Sequence, residues 1–317
     1  DFVQFFDGAN NYNVNLTTGV LPAATIVSNT ITPFTFTGGG YIDGTGSLLK
    51  LGSGTLVLDN SGNNVFTGGT TISGGTLQVG NNDANGTLPD GALTDNASLV
   101  FARADSPTVN NNISGTGSFT QAGTGSTLVL SGNNTFTGDV LVTNSSTLKL
   151  GSSSALGSGS GPVVIANGST LDINGVYGSR PVVVSGDGVD GNGAITDSGG
   201  GVYGFTSMIT LMGDTTFGYP NRWDLNNATL STGGNAYNLT LAGNGYSGSY
   251  LEWNNLAIDP ALANINVASV TLGLKGSTSL GDPNGTMTLT PNGALTFYDP
   301  NVSINKQVDF QANSTIN

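Results

Sequence analysis

One stretch of this chain occurs twice. Residues 54–80, GTLVLDNSGNNVFTGGTTISGGTLQVG, return at 126–151 as STLVLSGNNTFTGDVLVTNSSTLKLG. Thr55 maps to Thr127, Asn63 to Asn133, Phe66 to Phe136, Thr76 to Thr147 and Gly80 to Gly151, so the offset holds between 70 and 72 residues. Self-similarity at a fixed spacing marks a repeat architecture, in which no unit buries its apolar face except by stacking on its neighbours.

Within each copy the apolar residues alternate: Leu56 and Leu58, Thr70 and Ile72, Leu77 and Val79. Period two over four or five residues, ended by Gly or Asn, spells short half-buried strands. One third of the 71-residue offset predicts a coil of about 24 residues, and such coils stacked in parallel form an all-β solenoid with inward rows of Leu and Val. An antiparallel sandwich also uses short strands, but gives no reason for the 71-residue recurrence. Gly at the corners supplies positive φ. Asn63, Asn64, Asn133 and Asn134 are expected at bends, where Asn tolerates the left-handed region and can ladder along the axis. Phe66 and Phe136 are expected to cover the core at a corner.

The rest of the chain reads as the same solenoid, a single domain over 1–317. A second unit recurs at Asn96–Phe101, Asn167–Ile173 and Asn292–Phe297, and a decayed copy of the first lies at 239–248. Residues from about 176 to 236 read as a loop-rich insertion. The best helical signal is one turn at 259–264, where Asp259 precedes Pro260.

Composition narrows function. Charged residues are only 9%, with 20 acids against 7 bases and a net charge of −13. Seven scattered bases form no phosphate-binding stripe, which argues against nucleic acid and anionic membrane surfaces. No apolar run is long enough for a spanning helix, and the first residues carry no basic n-region of a signal peptide. Without His or Cys, neither a Ser–His–Asp or Cys–His site nor an imidazole or thiolate zinc site can be built. Glu252 is the only Glu, so paired carboxylates for glycan cleavage are scarce, and no enzymatic activity is expected. Asp187, Asp190 and Asn192 offer oxygen ligands in one Gly-rich loop, a weak calcium site; no other cofactor is expected.

The pattern Gly54-x-Leu56-x-Leu58, Gly62-Asn63-Asn64-x-Phe66-Thr67-Gly68-Gly69-Thr70-Thr71-Ile72, Gly75-Thr76-Leu77-x-Val79-Gly80 resembles the autotransporter-associated β-strand repeat of bacterial surface proteins. The second copy departs at Asp139 and at Ser145-Ser146. The resemblance implies a right-handed parallel β-helix, secreted and displayed outside the cell, and leaves the ligand open.

Apolar strand-like residues lie near both ends of the sequence: Phe2, Phe5 and Phe6, then Val308, Phe310 and Ile316. Neither stretch reads as a polar cap, and an uncapped strand edge is a template for pairing. The favoured function is a structural surface protein, stacking head-to-tail into a fibre or forming a rod segment of a giant surface protein. Its partner is then another copy, or a continuation of the same solenoid. The alternative is an adhesin holding glycan through Tyr177, Tyr203, Tyr219, Trp223, Tyr246 or Trp253. Arg222 and Asp224 are expected to pair over the Trp223 indole.

Overall fold

The structure is a computed structural model and describes residues 1–317 except 90, 179, 220, 244–248, 300, 301 and 317. The later part of the decayed repeat, with Tyr246, therefore lies outside the described residues. The chain forms two compact units, Asp1–Gly161 and Pro162–Asn317. Both are stacks of short parallel strands, the solenoid that the recurrence predicts.

In the first unit the strands fall into three columns, or faces, apart from Gly19–Val20 and Tyr41–Ile42, which pair with each other. The first face stacks Phe2–Phe6, Ala24–Ser28, Ser47–Leu51, Thr70–Ile72, Leu93–Asp95 and Ile113–Ser114. The second runs from Asn13–Asn15 through Phe34–Thr37, Thr55–Leu58, Thr76–Asp83, Ser98–Arg103 and Ser118–Gln121 to Val140–Val142. The third holds Thr108–Val109, Thr127–Leu130 and Thr147–Leu150. Paired residues lie from 20 (Leu93 and Ile113) to 23 (Ala24 and Ser47) apart, slightly below the expected 24.

Because side chains alternate along a strand and the register is kept from rung to rung, each face points whole rows inward. On the second face one row is Phe34, Leu56, Leu77, Leu99, Phe119 and Val140; the next is Phe36, Leu58, Val79, Phe101, Gln121 and Val142. All are buried. Each fully buried Leu or Phe contributes about 1.5–3 kcal/mol relative to exposure. Phe119 stacks against Phe136 and tilts against Phe101 inside this core.

The 71-residue offset is not a whole number of coils. Three rungs carry Thr55 through Thr76 and Ser98 to Ser118, all on the second face, and Thr127 lies nine residues further on, on the third face. The repeat has moved on by one face. All three faces offer an inward apolar site and an outward polar one, so the same pattern suits each.

The second unit has coils of uneven length, from 19 (Val163 and Val182) to 29 (Gly186 and Thr215) residues. That unevenness hides the period over 176–236, where the structure nevertheless places strands at Val182–Gly186, Ile195–Thr196, Val202–Tyr203, Met208–Tyr219, Trp223–Asn226 and Thr229–Ser231. Met208–Tyr219 is long because it passes from one column to the next: Met208–Thr210 pair with Thr229–Ser231, and Thr215–Tyr219 with Leu239–Gly243. The segment at 259–264 is a turn and not helical. The Asp259 carboxylate accepts the Ala261 N–H at 3.0 Å, and the Asp259 carbonyl accepts the Leu262 N–H. The helical turn among the described residues is a short 3-10 segment, Val189–Gly191.

Candidate functional site

The repeat corners are built from buried amides. Asn64 and Asn134 are buried, whereas Asn63 and Asn133 are exposed. None of the four has a positive φ, so the left-handed bend expected of them is absent. Instead the Asn64 carboxamide takes a rung of the ladder: its oxygen accepts the Ile42 N–H one coil back at 3.0 Å, and its NH₂ donates to the Thr87 carbonyl one coil on at 3.2 Å. Asn134 does the same between Ile113 (2.9 Å) and Ala155 (2.7 Å). A side-chain amide has the donor and acceptor of a peptide group, so it satisfies buried backbone where no strand continues. The two residues sit on different faces and do not ladder with each other. Phe66 and Phe136 cover the core as expected.

The sharp turn between Ile72 and Thr76 uses Gly75 at φ 68, where an added Cβ would lie 2.1 Å from the Gly54 carbonyl oxygen of the preceding coil. The second copy has no Gly there, and its turn is made differently: Asn144 (φ 59) and Ser145 (φ 54) take the left-handed region.

At the strand edges, Phe2 and Phe6 are exposed, at 75% and 50%, as are Phe310 and Ile316. Phe5 departs from this pattern, packing on Phe34 and Phe36 at 5.4 and 5.1 Å. Val308 is half-buried, opposite Met287. A cavity of about 360 Å³ between the first coils is lined largely by apolar residues, among them Val3, Phe5, Val14, Leu16 and Leu21. Among the described residues no three carboxylates, imidazoles or thiolates gather as a metal site; Asp187, Asp190 and Asn192 lie along the 3-10 turn.

Of the aromatic residues suggested for glycan contact, Trp223, Trp253 and Tyr219 are completely buried. Alternation turns Trp223 inward, where Tyr219 stacks on it at 4.8 Å and its indole N–H donates to the Gly218 carbonyl. These three belong to the core. Tyr177 and Tyr203 are exposed.

The same alternation turns the charged neighbours outward. Arg222 pairs with Asp224 at 2.7 Å and reaches Glu252 at 3.5 Å; Lys275 approaches Glu252 at 3.9 Å. The Arg222 guanidinium does not lie over an indole. It is held between two phenol rings, 4.6 Å from the Tyr203 centroid and 4.5 Å from that of Tyr250. Beneath it the Asp224 carboxylate, 1% exposed, also accepts the Glu252 N–H at 2.9 Å. Burial pushes the Asp224 carboxyl up, and the Arg222 hydrogen bond and charge offset only part of that. One rung further, Gly273 leaves a gap that tyrosines fill: a Cβ there would lie 2.2 Å from the Tyr250 hydroxyl and 2.9 Å from the Tyr298 ring. Burial, then the Tyr298 hydroxyl, push the Tyr250 phenol well above its ordinary range. Tyr298, exposed at 53%, meets Tyr250 edge-on at 6.3 Å. Tyr298 and Gly273 escaped the sequence reading. Part of the signal was there, because Tyr203, Tyr250 and Tyr298 are spaced 47 and 48 residues apart and fall on alternate rungs, although not in one register row.

Comparison with known proteins covers only part of the chain. The passenger-associated-transport-repeat family matches residues 48–79 and 119–150. These matched segments are also 71 residues apart, and they begin on the first and second faces. A curated relative, the "Adhesin BmaC autotransporter" of Brucella suis biovar 1 (strain 1330), is 49% identical over 57 residues, which cover 18% of this chain and 2% of the relative. The chain thus matches a very small part of that protein's length. No solved structure matches.

Proposed function

We propose that this chain, a β-solenoid of the autotransporter passenger-repeat family, is a rod segment of a passenger displayed at the bacterial surface. The observation that carries the reading is the repeat itself, which matches the passenger family twice and recurs one face round the same stack. The adhesin relative supports surface exposure. On this reading the role is structural, and we propose neither a catalytic activity nor a cofactor for it.

We further propose that the solenoid is extended at its strand edges, by a second copy of the chain or by more of the same coil. An unpaired parallel edge offers a row of N–H and C=O groups, and Phe2, Phe6, Phe310 and Ile316 supply apolar surface beside it. A head-to-tail contact of this kind does not close and makes a filament. Sedimentation velocity with negative-stain microscopy tests this across a concentration series. Self-stacking predicts filaments that lengthen with concentration and are lost in Phe2→Lys/Phe6→Lys. Discrete rods at every concentration would sink self-stacking and leave the rod segment. Protease or antibody access to the chain on intact producing cells tests display at the surface.

A further inference from the structure

The second unit carries an outward-facing aromatic surface that the rod reading does not use. It follows one column of strands: Val202–Tyr203, Trp223–Asn226, Tyr250–Asn254, Thr271–Lys275 and Ala294–Phe297, with Tyr298 directly after. From Tyr203 to Tyr298 it spans four rung spacings, about 19 Å at roughly 4.8 Å each. We infer that this surface, with Tyr203 and Tyr298 as its open rings and the clamped Arg222–Tyr250 pair between them, binds a neutral oligosaccharide of pyranose rings.

Three observations select that ligand. Tyr203 and Tyr298 are more than half exposed, on a face otherwise closed by ion pairs and by packing over Gly273. Such rings take the flat C–H face of a sugar, which is apolar, while the hydroxyls around its rim need hydrogen-bonding groups. Glu252, Lys275 and the tyrosine hydroxyls supply those groups next to the rings, the combination of apolar platform and few polar contacts that fixes a small ligand. A cationic ligand is disfavoured, because the slot between Tyr203 and Tyr250 is already filled by the Arg222 guanidinium. An acidic glycan is disfavoured too. Arg222 is committed to Asp224 and Glu252, Lys275 lies beside Glu252, and the chain carries a net charge of −13. The platform is also preorganised, because Arg222, held by Asp224, packs on both Tyr203 and Tyr250, Glu252 accepts the Tyr250 hydroxyl at 3.4 Å, and Tyr298 rests edge-on against Tyr250, so less side-chain freedom is lost on binding.

The proposal is independent of end-to-end stacking and survives if that fails. Isothermal titration calorimetry of the full chain against neutral cello-, malto- and xylo-oligosaccharides, with oligogalacturonate and sialyllactose as acidic probes, tests it. Binding of at least one neutral series is expected, tighter than either acidic probe. Tyr203→Ala and Tyr298→Ala should each weaken it about two- to tenfold, and the double variant should abolish it. Met212→Ala, an exposed apolar side chain on another column, should bind as the parent does. Tyrosine nitration of the unaltered chain is the second readout: saturating oligosaccharide should protect Tyr203 and Tyr298 and leave Tyr41 of the first unit reactive. No binding by any neutral probe, tighter binding of an acidic one, unchanged affinity in the double variant, or no protection from nitration would each overturn the proposal.

Discussion

Asn64 and Asn134 show how far a single side chain can stand in for backbone. Each closes the ladder between the coil before it and the coil after it, so truncation strands a buried N–H together with a C=O that is buried beside Asn134 and half-buried beside Asn64. We expect Asn64→Ala and Asn134→Ala each to cost about 2–4 kcal/mol, while Asn63→Ala and Asn133→Ala, one residue away and exposed, stay within about 0.5 kcal/mol. The unfolding phase of the first unit, in urea titrations followed by far-UV circular dichroism, measures both; equal effects at 63 and 64 would refute the surrogate-rung account. Lys50 makes a different bargain. It lies in an inward row between Val27 and Ile72, and its ammonium donates to the carbonyls of Leu51, Gly52 and Gly74. Burial pulls its pKa down to about 8 from 10.5. Between those values the unfolded chain holds the proton that the folded chain has lost, so stability through Lys50 rises with pH from about 8 towards 10. Lys306, three carbonyls at its ammonium and its pKa likewise lowered by burial, adds a rise of the same sign. Thermal melts between pH 8 and 10 should show this increase in the parent chain and a smaller one in Lys50→Met. A slope unchanged by the substitution would place the titration elsewhere.

At the level of the strand, the inward rows were legible because they depend on alternation alone. Leu56, Leu58, Leu77, Val79, Leu128 and Leu148 all point inward where period two puts them. What could not be read was which face a strand joins. The pattern of apolar and polar positions is the same on all three, and only the pairing registers show that Thr55 and Thr127 occupy different columns. The two corners were misread for a related reason. Asn is favoured both in left-handed bends and wherever a peptide-like amide is wanted, and its residue type does not say which. The structure puts the left-handed residues at Asn144 and Ser145 and the bridging amides at Asn64 and Asn134. Likewise Trp223 and Trp253 looked like ligand platforms beside charged neighbours. Strand alternation separates such neighbours to opposite sides of the sheet, so the indoles went to the core and Arg222, Asp224 and Glu252 went out. The aromatic surface that resulted draws on residues from Tyr203 to Tyr298, and only the coil lengths of an uneven unit bring them together.

At the scale of the whole molecule, each of the two units is a stack of coils, and stacking in one dimension makes stability local within it. Strand pairing joins adjacent coils, and the longer contacts, such as Lys306 to Ala263 or Thr124 to Asn82, reach only two coils away, so a defect weakens its own neighbourhood before it weakens the rest. The placement of the tryptophans turns that into a measurement: both Trp223 and Trp253 are in the second unit, whereas every strand contributes to the far-UV signal. Asn64→Ala lies in the first unit. With this substitution we expect urea titration by circular dichroism to gain an early phase, while the midpoint read by tryptophan fluorescence stays at its parent value. In the parent chain the two probes should also diverge, because a stack of uneven coils does not melt as one two-state domain. Coincident transitions in the variant, both shifted to lower urea, would mean that the 317 residues unfold as a single cooperative body. The locality expected of a repeat stack would then fail for this chain, and the damage at Asn64 would have reached Trp253 through cooperative packing.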